Sequence, residues 1–187
     1  MSEILGTLFK YLLALLAITA VVVVLYEALG SNKTSTAVSD ITTLQANINQ
    51  LYAGTNAQSL TTNQDITSTL ASAGTAPSDM ISGSGSSATL IDPWGGIVKV
   101  EASPPATGTT PAPAQATITL ANVPNSACAK IVGALFASMV SVAINGATTA
   151  ATTAPTAIAQ CGVQPAVGSN AAGGTSSNSV ALTFNLS

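Results

Sequence analysis

Apolar and polar positions divide this chain into stretches of different rhythm. From Ile4 to Leu29 the sequence reads ILGTLFKYLLALLAITAVVVVLYEAL, and only Lys10 and Glu27 bring charge. Tyr11 to Tyr26 holds neither a charge nor a glycine. As a helix the run is about 39 Å long, against roughly 30 Å of bilayer hydrocarbon. Beyond Gly30, Val38, Ile41, Leu44, Ile48 and Leu51 recur every three or four residues, and Tyr52 extends their row. Ser39, Asp40, Thr42, Thr43, Asn47 and Asn49 lie between them. That spacing predicts an amphipathic helix ending near Gly54, with one face requiring a partner surface. Gly30 weakens the helix by only about 1 kcal/mol, so near-continuous helix is expected over the N-terminal part of the chain.

After Gly54 the rhythm changes. Residues 55–87 are polar and broken, with one short helix expected from Asn63 to Ala73 on Ile66 and Leu70, capped by Asn63 or Thr62, and a turn at Pro77. Ala88–Ile91 and Ile97–Glu101 read as two strands joined by Asp92-Pro93-Trp94-Gly95-Gly96. Pro93 pre-sets a turn there and the glycines permit positive φ, so a hairpin is predicted with Trp94 plugging the sheet end. Ser103–Ala114 is a Pro-Thr-Ala loop, either bare or carrying O-linked sugar. Gln115–Asn122 alternates as a strand, and Cys128, Ile131, Val132, Leu135, Phe136 and Met139 mark one helix face. Residues 141–145 suggest a strand leading into Asn145-Gly146. Thr148–Gln160 reads as loop, and Val180, Leu182, Phe184 and Leu186 alternate in a terminal strand. The expected organisation is a hydrophobic helix over 1–30, its amphipathic continuation over 31–54, and a head over 55–187. The fold class is α+β: a long N-terminal helix packed on an antiparallel sheet of about four or five strands.

Composition narrows the function. Charged residues make up 6% of the chain, with four lysines, no arginine and no histidine. The formal net charge of -3 leaves no basic patch, which argues against nucleic-acid binding. Without histidine the commonest general base and metal ligand is missing, so no cofactor or metal is expected. Lys99 and Lys130 have no Ser-x-x-Lys partner, Lys10 and Lys33 sit on the stalk, and Asp79 and Asp92 stand apart in sequence. An enzyme is therefore not expected. So few charges suit a surface covered by copies of the chain or by glycans.

Three readings fit the apolar run. A signal peptide needs a basic start, whereas Glu3 is acidic. A plain single-pass anchor is the second reading. The third is a rod that resides in a membrane and is then buried among copies of itself. Two cysteines, Cys128 and Cys161, most simply form one disulfide in an exported domain, worth roughly 3–4 kcal/mol; two buried thiols are the alternative.

This order of parts resembles the type IV pilins, and within them the type IVb branch. The rod, the continuation to Gln50-Leu51-Tyr52-Ala53-Gly54 and the two cysteines carry that likeness. Asp92–Gly96, and Ile118-Thr119-Leu120-Ala121-Asn122-Val123-Pro124 followed by Cys128, look like the PilS family of thick-pilus pilins. The resemblance implies a homopolymer of identical subunits in an extracellular pilus, with rods bundled in its core and a disulfide clamping the outer region. It also implies an inner-membrane state before assembly, a pilus assembly machinery and a minor tip pilin. The basic leader of prepilins does not precede Met1, so the mature chain is expected to start there. The usual glutamate at the fifth position is Leu5. Four residues are therefore candidates for assembly contacts: Met1, Glu3, Lys10 and Glu27. Lys10 is expected to pair with Glu3 first, or Glu27, of a neighbouring rod, because a lone charge in a dry core is costly. Many pilins melt part of this helix on assembly; the β-branched Ile18–Val24 segment is where that is expected here. Alternative functions are a membrane-anchored adhesion or binding protein, an archaeal-type pilin, and a pseudopilin of a secretion system.

Overall fold

A computed structural model describes residues 30–52, 54–106, 113–149, 153–162 and 177–186. The chain forms two compact units, Met1–Lys33 and Thr34–Ser187. The Ile4–Leu29 run, with Met1, Glu3, Lys10, Glu27 and the Ile18–Val24 segment, lies outside the described residues, as does most of the Ser103–Ala114 loop. Among the described residues no helix is long and apolar enough to cross a membrane.

Residues 30–51 are helical (α1). The buried face of this helix is Thr34, Ala37, Ile41, Leu44 and Ile48, with Val38, Leu51 and Tyr52 half-buried beside it. Two details depart from the predicted pattern. The helix stops at residue 51, and Gly54 opens a 3-10 turn, Gly54–Ser59, rather than capping α1. Asp40, read as part of the polar side, is buried with only 8% of its surface exposed.

Among the described residues the head carries an eight-stranded sheet, all of its pairings antiparallel. Its strands are β1 (Gln64–Asp65), β2 (Ile81–Ser82), β3 (Thr89–Ile91), β4 (Ile97–Ser103), β5 (Gln115–Pro124), β6 (Ser141–Ile144), β7 (Ala147–Thr149) and β8 (Ser177–Asn185). Their order is β2-β3-β4-β5-β8-β6-β7, with β1 also on β4. This exceeds the expected four or five, because β1 and β2 are two residues long and β7 lies in an Ala-Thr stretch without alternation. The C-terminal strand is central: β8 sits between β5 and β6, so the end of the chain closes the sheet. Its alternation holds as predicted, with Val180, Leu182, Phe184 and Leu186 buried.

Among the described residues three α-helices accompany the strands: α2 (Thr67–Ser72), α3 (Asn125–Leu135) and α4 (Ala154–Ile158). The first is shorter than the predicted 63–73 helix. Asn63 has φ of 54° and does not cap it; the carboxylate of Asp65 instead accepts the Thr67 N–H at 3.0 Å. α4 corrects the reading of Thr148–Gln160 as loop. It has Pro155 in its first turn and buries only Ala157 completely, too little apolar periodicity to announce a helix. The α3 face is as read from Cys128 to Leu135, with Cys128, Ile131, Val132 and Leu135 buried. The helix ends there: Phe136–Ser138 is a 3-10 turn and Met139 is extended, so neither Phe136 nor Met139 continues the α-helical face.

One edge of β4 is shared. β3 pairs with it at Ile97 and Val98, and β1 at Glu101 and Ala102. In the gap, Val100 donates its N–H to the Thr67 hydroxyl at 2.8 Å, and its carbonyl accepts the Ile66 N–H at 3.0 Å. A threonine side chain thus continues a ladder that the backbone interrupts, leaving no buried donor unmet there.

Candidate functional site

Two constellations set the shape of the head. The first is the Asp92–Gly96 turn. The Asp92 backbone N–H reaches the Gly96 carbonyl at 2.9 Å, and the Gly95 N–H returns to the Asp92 carbonyl at 2.9 Å. Asp92 Oδ1 accepts the N–H groups of Trp94 at 2.9 Å and Gly96 at 2.7 Å. Gly95 has φ of 82°, as the turn requires. Gly96 is demanded by space: a Cβ there would stand 1.9 Å from the Ala121 carbonyl oxygen. Trp94 is half-buried against the core, as expected of a plug.

That carbonyl belongs to a bulge. Between Leu120 and Val123 the register of β5 against β8 slips by one, and Asn122 takes φ of 60°. The two sequence motifs, Asp92–Gly96 and Ile118–Pro124, are therefore one packed unit, turn against bulge.

The second constellation lies just beyond. Cys128 and Cys161 are bonded, with S–S 2.04 Å and Cα atoms 5.8 Å apart, so the disulfide reading holds. Beside it Asn178 is buried with both ends of its amide saturated. Its Nδ2 donates to the Val123 carbonyl at 3.2 Å and to Asn125 Oδ1 at 2.7 Å. Its Oδ1 accepts the Gly162 N–H at 2.9 Å and Asn145 Nδ2 at 3.0 Å. Two donors and two lone pairs all find partners. Asn145 adds a two-way exchange with Ser179: N–H to carbonyl at 2.9 Å, and Oδ1 accepting the Ser179 N–H at 3.0 Å. With Gly146 it makes a two-residue hairpin turn, both residues at positive φ. One buried amide thus links the β5 bulge, the start of α3, the β6–β7 turn and the residue after Cys161. Sequence reading passed over Asn178, although a signal existed: it is the polar member of the buried row that continues as Val180 and Leu182.

The electrostatics are sparse. Lys99 pairs with Glu101 at 2.8 Å, and this hydrogen bond and charge raise the lysine's pKa. For Asp65, burial pushes the pKa up, but the Thr67 hydrogen bonds and Lys99 outweigh it and the net shift is downward. Burial raises Tyr52. The pKa of Asp40 is raised, by burial first and then by the charge of Asp79. Of the predicted site residues the structure brings Cys128 and Cys161 together; the four assembly candidates are outside the described residues.

These features match known proteins. The family described as PilS N terminal matches residues 31–185. The chain belongs to the PilS family. Two solved structures agree, both of type IVb pilins from Salmonella typhi. The crystal structure shares 29% identity at TM-score 0.58, covering 81% of this chain and 99% of that one. The NMR structure of PilS shares 30% identity at TM-score 0.50, covering 81% and 96%. No curated protein matches. This PilS-type chain is thus a pilus subunit, and its family membership implies an extracellular filament of identical copies.

Proposed function

We propose that this pilin serves surface contact, in attachment, aggregation or mating, as a building block with no catalytic role and no nucleic-acid partner. The observation that carries this reading is the clasped head: a low-charge sheet closed by its own C-terminal strand and locked by a disulfide, a design for mechanical persistence. Before assembly the Ile4–Leu29 run holds the subunit in the inner membrane, where the assembly machinery and a minor tip pilin collect it. In the filament the runs bundle, and Lys10 of one rod meets Glu3 or Glu27 of another. Electron microscopy of material sheared from expressing cells, with an antibody against the head, tests the reading. Labelled filaments are expected. Label confined to membrane fragments would reject polymerisation in favour of an anchored adhesion protein. Unchanged filament yield in Lys10→Met would remove the rod pairing alone.

A further inference from the structure

Asn145-Gly146 is the one place in the chain where asparagine precedes glycine. The pair is chemically reactive. The amide nitrogen of a glycine, unshielded by a side chain, can attack the carboxamide carbon of the preceding asparagine and close a succinimide ring. The turn leaves Gly146 open: it is exposed, and a Cβ built on it would meet no atom within 4 Å. The Asn145 carboxamide, by contrast, is pinned to β8 at both ends. Its Oδ1 accepts the Ser179 N–H at 3.0 Å, and its Nδ2 donates to Asn178 Oδ1 at 3.0 Å. A carboxamide tied in this way is not free to turn onto the Gly146 nitrogen.

We propose that Asn145 is a site of spontaneous deamidation, guarded by Asn178 and Ser179, whose modification unfastens the disulfide side of the head. In the reaction the Gly146 nitrogen gives up its proton and bonds to Asn145 Cγ. The Cγ–Nδ2 bond breaks and ammonia leaves. Water then opens the ring, at Cγ to give aspartate or at the main-chain carbonyl to give isoaspartate. The proposal concerns one subunit and stands apart from how subunits assemble.

Both products damage the network. Aspartate sets a carboxylate oxygen where Nδ2 stood, opposite Asn178 Oδ1. Asn178 has no donor to turn towards it, because its Nδ2 is committed to the Val123 carbonyl and Asn125 Oδ1. Two acceptors then face each other at a residue with only 2% of its surface exposed. The repulsion falls on Asn178 Oδ1, which also holds the N–H of Gly162, the residue after Cys161. Isoaspartate adds a methylene to the main chain inside a tight turn whose length sets the pairing of Ile144 with Ala147.

The full chain in detergent micelles is incubated near neutral pH, and peptide mass mapping follows loss of the Asn145 amide. Folded wild type, folded Asn178→Ala and wild type in denaturant are compared. Conversion is expected to be slowest in folded wild type and fastest in denaturant. In Asn178→Ala it should run about fivefold faster than in folded wild type, the population change that one lost hydrogen bond brings. Equal rates in folded and denatured wild type overturn the guard, and an Asn178→Ala rate equal to that of wild type removes Asn178 from it. Failure of Asn145 to outpace the other asparagines in denaturant overturns the site itself. Should Asn178→Ala fail to fold, wild type in sub-denaturing urea decides. Conversion that rises with hydrogen exchange of the Ser179 amide supports the guard; conversion indifferent to that exchange refutes it. Aged wild type is then separated by charge into modified and unmodified chains, and both are treated with a limiting thiol. The disulfide of the modified chain should be reduced about fivefold faster, and equal rates overturn the link to the clasp.

Discussion

The β2-β3-β4 side of the head and the α3-α4-β6-β8 side are held in different ways. The first is local. Its hairpin closes over five residues, Asp92 satisfies the turn's own N–H groups, and Gly96 lets the turn rest on β5. The second is assembled from distant parts: Cys128 binds Cys161 across 33 residues, and Asn178 reaches Val123, 55 residues earlier. The contrast reflects composition. The first side has hydrophobic alternation and turn residues adjacent in sequence. Across residues 147–162 the second is rich in Ala and Thr, which bury too little to order a segment against its conformational entropy. A covalent bond and a saturated buried amide replace the missing apolar area.

Breaking the two modes one at a time should separate them. Cys128→Ala with Cys161→Ala should cost most, about 4 kcal/mol by chemical denaturation. Hydrogen exchange should show the loss centred on 153–162 with Val98 and Val100 still protected; uniform loss would mean that the two sides are not distinct. Gly96→Ala should cost about 3 kcal/mol, because its methyl group meets a backbone carbonyl that cannot swing aside. Here the damage should reach both sides, since turn and bulge are one unit, and near-neutral denaturation would contradict that packing.

Asn178→Ala is expected to cost about 2 kcal/mol, as the buried Val123 carbonyl and the part-buried bonds to Asn125, Asn145 and Gly162 each lose the Asn178 amide. It should also make the disulfide easier to reduce, a readout that the hairpin side would not share. Thr67→Val is the smallest, about 1 kcal/mol, stranding the Val100 N–H on the local side. Faster amide exchange at Val100 alone is the expected signature.

Much of the architecture was legible before any coordinates. The period of α1's core face, the Asp92–Gly96 hairpin and the terminal strand each follow from neighbours in sequence, because an alternating or three-to-four spacing specifies which side is dry. The two cysteines named their own bond. What escaped were elements too short to show a period, β1, β2, β7 and α4, and residues whose role depends on what comes to face them. Asn178 looked like the edge of a polar stretch until β8 entered the sheet between β5 and β6 and carried it beneath α3. Asp40 looked like a solvated helix residue, yet the folded head buries it. The sequence by itself determined where apolar surface had to be buried, since that depends on side-chain chemistry and local spacing. Only the tertiary structure decided which polar groups were buried with it and who their partners were, because hydrogen bonds between distant residues depend on register and packing that no local pattern encodes.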